Sequence, residues 1–67
     1  MKIFLNDTPV TLPDDLTTIA DLMKWKNISS QGTAVALNDK LIRQELWSVI
    51  SLNDLDRITV ISAAYGG

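Results

Sequence analysis

The sequence of 67 residues contains no cysteine and no histidine. Without cysteine there are no disulfides and no thiol nucleophile, which fits a reducing cytosol. Without either residue there is no ordinary catalytic triad and no conventional zinc site. A basic surplus is also missing. The six cations (Lys2, Lys24, Lys26, Lys40, Arg43 and Arg57) are scattered, and the net charge is -2. No basic stripe interleaves with aromatics, so nucleic acid is not an expected partner. No apolar run approaches the roughly 18 residues of a membrane span. The opening MKIFLN is too short and too quickly polar for a signal peptide. The expectation is a complete, soluble, cytoplasmic polypeptide that is monomeric when free.

What remains is a small domain with a thin core. A chain of this size buries only about 60% of the surface its unfolded form exposes. Such a core rarely supplies more than about 3–5 kcal/mol. Disulfides and zinc are ruled out, so stability must come from packing, for which 46% hydrophobic content suffices. The eight carboxylates mostly sit beside turn-forming residues, where solvent reaches them. Paired-carboxylate catalysis needs a cleft, for which so short a chain has little room. An enzyme acting alone is not expected.

The elements follow from periodicity. Met1, Ile3 and Leu5 alternate with Lys2 and Phe4, which predicts a strand. NDTP is a turn signal, and Val10–Leu12 resumes the alternation, so residues 1–12 read as a hairpin. PDD breaks the pattern. Thr18 and Asp21 resemble a capping box at the start of a helix whose buried stripe is Ile19, Leu22 and Met23. Met23 and Trp25 are read as core packing. NISSQG ends the helix, with Gly32 as a turn or cap residue. The run TAVALN predicts a central strand buried on both faces. After NDK, Leu41–Arg43 forms a short strand, and Trp47 and Ile50 plug one end of the core. In the last strand Ile58 and Val60 face one side, and Arg57, Thr59 and Ile61 the other. No internal repeat and no low-complexity linker appears.

Strands flanking a single helix argue for an α+β domain with the helix on one face of a mixed sheet of four to five strands. The most economical closure pairs the last strand beside the first, in parallel, in the sheet centre. That is the β-grasp (ubiquitin-like) arrangement. It divides the chain into a domain at 1–61 and a flexible C-terminal tail at 62–67. The tail then leaves a fixed mid-sheet strand as a freely moving arm.

Two of the three glycines are the final residues, Gly66 and Gly67. At an average glycine usage of about 7%, chance gives such a pair roughly once in two hundred sequences. A glycine pair passes a narrow channel and adopts backbone angles closed to other residues. It ends in a carboxylate that is ionised and unreactive until another enzyme activates it, its pKa being about 3.3–3.7.

MKIFLND at the start, VALND after the helix, Trp47, LDRITVI before the tail and the closing Gly-Gly together resemble the ThiS family of sulfur carrier proteins. The resemblance covers the full length. It departs at Gln44, where members commonly carry arginine, and at Tyr65, where smaller residues are common.

The resemblance implies a sulfur carrier for the thiazole ring of thiamine. A ThiF-like adenylyltransferase would use ATP and magnesium to convert the Gly67 carboxylate to an acyl-adenylate. A sulfur donor, often fed by a cysteine desulfurase, would turn that into a thiocarboxylate for a ThiG-like thiazole synthase. The chain itself would bind no cofactor. Gly67 carries the sulfur, while Tyr65 and Gly66 belong to the arm. Phe4, Thr59 and Ile61, on the sheet face that one helix leaves uncovered, are the candidate partner contacts, with Arg43 and Arg57 at the rim. Three alternatives stand beside this reading. One is a MoaD-like carrier for molybdopterin synthesis. Another is a ubiquitin-like modifier conjugated to lysine through Gly67. The last is a plain β-grasp interaction module.

Overall fold

The computed structural model describes residues 1–62. In chain order the elements are β1 (Lys2–Leu5), β2 (Thr8–Thr11), α1 (Ile19–Trp25), β3 (Thr33–Leu37), β4 (Lys40–Ile42), a 3₁₀ turn at Gln44–Leu46, and β5 (Arg57–Ser62). The sheet order is β2-β1-β5-β3-β4. β1 and β5 are parallel neighbours, with Phe4 beside Arg57 and Leu5 beside Ile58. The other pairings are antiparallel. This is the expected β-grasp fold, with all five strands present and the last one in the middle. β5 itself includes Ser62. The part of the expected tail from residue 63 onward lies outside the described residues.

Both hairpins turn on the same dipeptide. Asn6-Asp7 joins β1 to β2 and Asn38-Asp39 joins β3 to β4, all four residues at positive φ between 49° and 70°. Two-residue loops of this kind match the twist of antiparallel strands, and asparagine and aspartate tolerate the left-handed region. The first turn is tighter than NDTP suggests, because Thr8 and Pro9 already belong to β2. Pro9 is tolerated there because β2 is an edge strand.

Helix α1 has only seven residues, too few to persist alone in water. Its ends are therefore held from outside. The Asp21 N–H donates to Thr18 Oγ1 (3.1 Å), and the Thr18 N–H donates back to Asp21 Oδ2 (3.2 Å). This is the expected capping box. The remaining first-turn donors reach across the fold: Ile19 N–H to the Ile50 carbonyl and Ala20 N–H to the Trp47 carbonyl. At the other end Asn27, at φ 57°, is the left-handed residue that stops the helix. Its N–H bonds to the Lys24 carbonyl, and that of Ile28 to the Met23 carbonyl, the paired bonds of a Schellman stop. Asn27 thus takes the capping role, and Gly32 (φ 65°) serves the turn before β3.

The capping box has a pH signature. The Thr17 N–H, then the Thr18 N–H, hold the Asp21 carboxyl below its ordinary value of 3.8. A carboxyl depressed in the folded state stabilises fully above its unfolded pKa and loses that contribution as pH falls through the folded one. The stability difference between wild type and Asp21→Asn should be largest at neutral pH and close well below pH 3.8. Urea titrations of both proteins at the two extremes check this. A gap that persists in acid would mean that the charge plays no part.

The core lies between α1 and one sheet face. Ile3, Ile19, Leu22, Val35 and Ile58 are its most buried members, closed by Leu12, Leu16, Met23, Trp47 and Leu52. Two expectations need correcting. Trp25 is 45% exposed. At about 100° per residue it falls outside the stripe of Ile19, Leu22 and Met23. β3 is not buried on both faces, since Val35 alone is fully enclosed. Its Ala34 and Ala36 are apolar but small, and they lie on the face that the helix does not reach. Trp47 does close one end of the core, its Nε1–H donating to the Ile42 carbonyl (3.0 Å).

Candidate functional site

Strand register assembles the face opposite the helix. Pro9, Phe4 and Arg57 form one row across β2, β1 and β5. Thr59, Ala36 and Leu41 form a second across β5, β3 and β4. Ile61 and Ala34 form a third. The expected trio of Phe4, Thr59 and Ile61 therefore does share one face on adjoining strands. Phe4 is half-buried and Thr59 exposed, while Ile61 is 53% exposed. Phe4 and Ile61 are not side by side. Phe4 is level with Arg57, so Ile61 sits four residues further along, about 13 Å at the usual strand rise. Thr59 occupies the ground between them.

Leu41 was not expected on this face, yet at 71% it is the most exposed large apolar side chain among the described residues. Ala34 and Ala36 also belong here. They leave a shallow floor between Leu41, Thr59 and Ile61. The missed signal is parity: once β4 pairs with β3, Leu41 must lie on the side of Ala36. A single leucine in a three-residue strand does not declare its side.

Charge frames the face. The Lys2 ammonium stands 5.7 Å from the centre of the Phe4 ring. Arg57 pairs with Asp39 at 3.2 Å, and both are largely exposed, so the pair adds little stability. Arg43 is exposed at the start of the 3₁₀ turn. Asp56 departs from the expectation of solvated carboxylates. It is 8% exposed and accepts from Asn38 Nδ2 (3.0 Å) and the Asn53 N–H (2.7 Å). All its bonds lock the entry to β5, a structural task.

Among the described residues no cluster of three or more carboxylates could hold a metal ion. No described helix is long and apolar enough to cross a membrane. The one cavity described, about 260 Å³, lies on the helix side, lined by Pro13, Asp15, Leu16, Asp21, Lys24 and Trp25. Its Asp21 carboxylate is already committed to the capping box. The expected sulfur-carrying residue Gly67, with Tyr65 and Gly66, lies outside the described residues. β5, the middle strand of the sheet, runs to Ser62, next to the Ile61 end of the open face.

Comparison with known proteins agrees with this geometry. No curated protein gives a significant match. Among solved structures, a thiamine biosynthesis protein (ThiS) from Geobacter metallireducens superposes with a TM-score of 0.84. The two share 19% identity over the whole of both chains, a likeness of fold. The sequence profile of the ThiS family matches residues 3–67, from the first buried residue of β1 through the terminal glycine. With that match spanning nearly the full sequence and the same fold built around a central last strand, the chain belongs to the ThiS family.

Proposed function

We propose that this protein is a sulfur carrier for thiamine thiazole biosynthesis, with the Gly67 carboxylate as the group that carries sulfur. The observation that supports it is the family match running through Gly67, on a sheet whose middle strand ends five residues earlier. Membership of the ThiS family supports the carrier role, and the chemistry of the end supplies the steps. An ionised carboxylate is a poor electrophile. A ThiF-like partner overcomes this by letting a Gly67 oxygen attack the α-phosphorus of ATP. Pyrophosphate leaves and an acyl-adenylate forms, with magnesium held by the partner. Hydrosulfide displaces AMP to leave a terminal thiocarboxylate directly. A donor persulfide gives an acyl disulfide, and a thiol then cleaves its S–S bond, releasing the thiocarboxylate and leaving the donor sulfur in a disulfide with that thiol. A ThiG-like thiazole synthase accepts the sulfur. The carrier acts as a substrate of these enzymes, and its fold presents the terminus.

Incubation with the authentic adenylating partner, ATP, magnesium and a sulfur source tests this by intact mass. Exchange of one Gly67 oxygen for sulfur is the expected result. An isopeptide adduct on lysine instead would identify a protein modifier, and sulfur passed on to a molybdopterin precursor would identify the other carrier branch.

The open face is the proposed docking surface. Apolar anchors at the centre of such a patch carry most binding energy. Phe4→Ser and Ile61→Ser should each weaken binding to the adenylating partner about tenfold or more. Isothermal titration with the two purified proteins measures it. Unchanged affinity in both variants would move docking off this face.

A further inference from the structure

The tripeptide Leu-Asn-Asp occurs at 5–7, 37–39 and 52–54. The first two copies form the hairpin turns, and in each the asparagine side chain reaches across to β5. At the start of that strand the Arg57 N–H donates to Asn38 Oδ1 (2.9 Å). Near its end the Val60 N–H donates to Asn6 Oδ1 (2.8 Å). The turns are chemically alike, but their places differ. Asn38 acts at the first residue of β5, whereas Asn6 acts two residues before Ser62.

Main-chain pairing of β1 with β5 reaches Leu5 beside Ile58, followed by the Asn6 N–H to the Ile58 carbonyl (2.9 Å). There β1 turns away into β2. The Asn6 carboxamide supplies the acceptor that a continuing β1 would have offered to Val60. On the opposite side β3 accompanies β5 to the end, with Thr33 level with Ser62. The strand that leads to the tail is thus held on both sides as far as Val60, and on the β1 side a single side chain makes the last bond.

We propose that Asn6 is a positioning residue for the C-terminal arm. Its carboxamide fixes where β5 is released from the sheet on the β1 side, and so steadies the strand that precedes the terminal residues. The proposal rests on the reading of Gly67 as the reactive end. Asparagine suits the task twice. It accepts the left-handed φ of 49° at this turn, and it carries an acceptor on a short arm. Aspartate keeps both properties, whereas glycine keeps only the first.

Wild type, Asn6→Gly, Asn6→Asp and Asn38→Gly provide the test. Amide exchange at Val60 is read by NMR relative to core amides of the same variant. In Asn6→Gly it should quicken about fivefold to tenfold, the worth of one hydrogen bond. Asn6→Asp should stay near wild type, and Asn38→Gly should leave Val60 unchanged. In the adenylation assay kcat/KM should fall about fivefold in Asn6→Gly. Aspartate should restore it, and Asn38→Gly should match wild type. Unaltered Val60 exchange in Asn6→Gly, or equal kcat/KM losses in the two glycine variants, would overturn the proposal. If the wild-type protein is not adenylated by its authentic partner, the carrier reading fails. The exchange data alone then decide whether Asn6 holds the end of β5.

Discussion

A chain lacking Gly67 is expected to fold normally and to be inert as a sulfur acceptor. The five residues after Ser62 can span at most about 17 Å. Removing one retracts the terminal carboxylate by about 3.5 Å. Positioning errors of about 1 Å at a reacting atom already cost on the order of 10²-fold in rate. The loss should therefore be at least that large, even though Gly66 then supplies a carboxylate of the same chemistry. Appending a residue after Gly67 should be as damaging, because the Gly67 carbonyl is then locked in a peptide bond. Intact mass after reaction with the adenylating partner and sulfur source reads both variants. Urea titration should show wild-type stability, since the described core and all five described strands lie before Gly67. Thiocarboxylate formation at the wild-type rate in the shortened chain would remove Gly67 from the role assigned to it.

Replacing Trp47 with alanine should leave a chain that is mostly unfolded at room temperature. Trp47 is 5% exposed, and three bonds surround it. Its indole N–H bonds to the Ile42 carbonyl, its own carbonyl accepts from Ala20 N–H, and its N–H bonds to the Gln44 carbonyl. The residue thereby ties the end of β4, through its indole, to the start of α1, through its main-chain carbonyl. Truncating a buried tryptophan to alanine costs about 3–5 kcal/mol. A core of this size supplies about the same amount in total. Trp47→Phe keeps most of the ring packing and forfeits the indole bond, worth about 1 kcal/mol, so it should fold with a lowered urea midpoint. Circular dichroism and urea titration check the pair. A well-folded alanine variant would show that the 44–50 segment is a cover the core can do without.

Much of this molecule is legible in its residues because the signals are local. Thr18 and Asp21 stand three apart and announce the helix start. Asn-Asp announces both turns. The alternation of Arg57–Ile61 tells which side chains share a face, and with Phe4 it sketches the open surface. What escaped is set by register. Leu41 reads only as part of a short strand, its side undeclared, until β4 is known to pair with β3, opposite Ala36. The run from Thr33 to Asn38 reads as doubly buried because composition does not separate an alanine on an open face from one in a core. The bonds from Asn6 to Val60 and from Asn38 to Arg57 join residues 54 and 19 positions apart. A polar residue in a turn gives no hint of a second task at such distance. The family resemblance and the terminal glycine pair point to the tail, which lies outside the described residues.

The central place of β5 has a consequence for how the protein is made. The strand that unites the β1–β2 and β3–β4 hairpins is the last of the described strands to be synthesised. Until it arrives, the two hairpins share no ladder, and the sheet cannot close around the helix. Completion of the sheet therefore waits for Arg57–Ser62. A chain cut short anywhere before Arg57 would present a stray carboxylate, but it would lack the middle of its sheet and the buried Ile58. The topology thus makes an intact β5, rather than an intact terminus, the condition for closing the sheet.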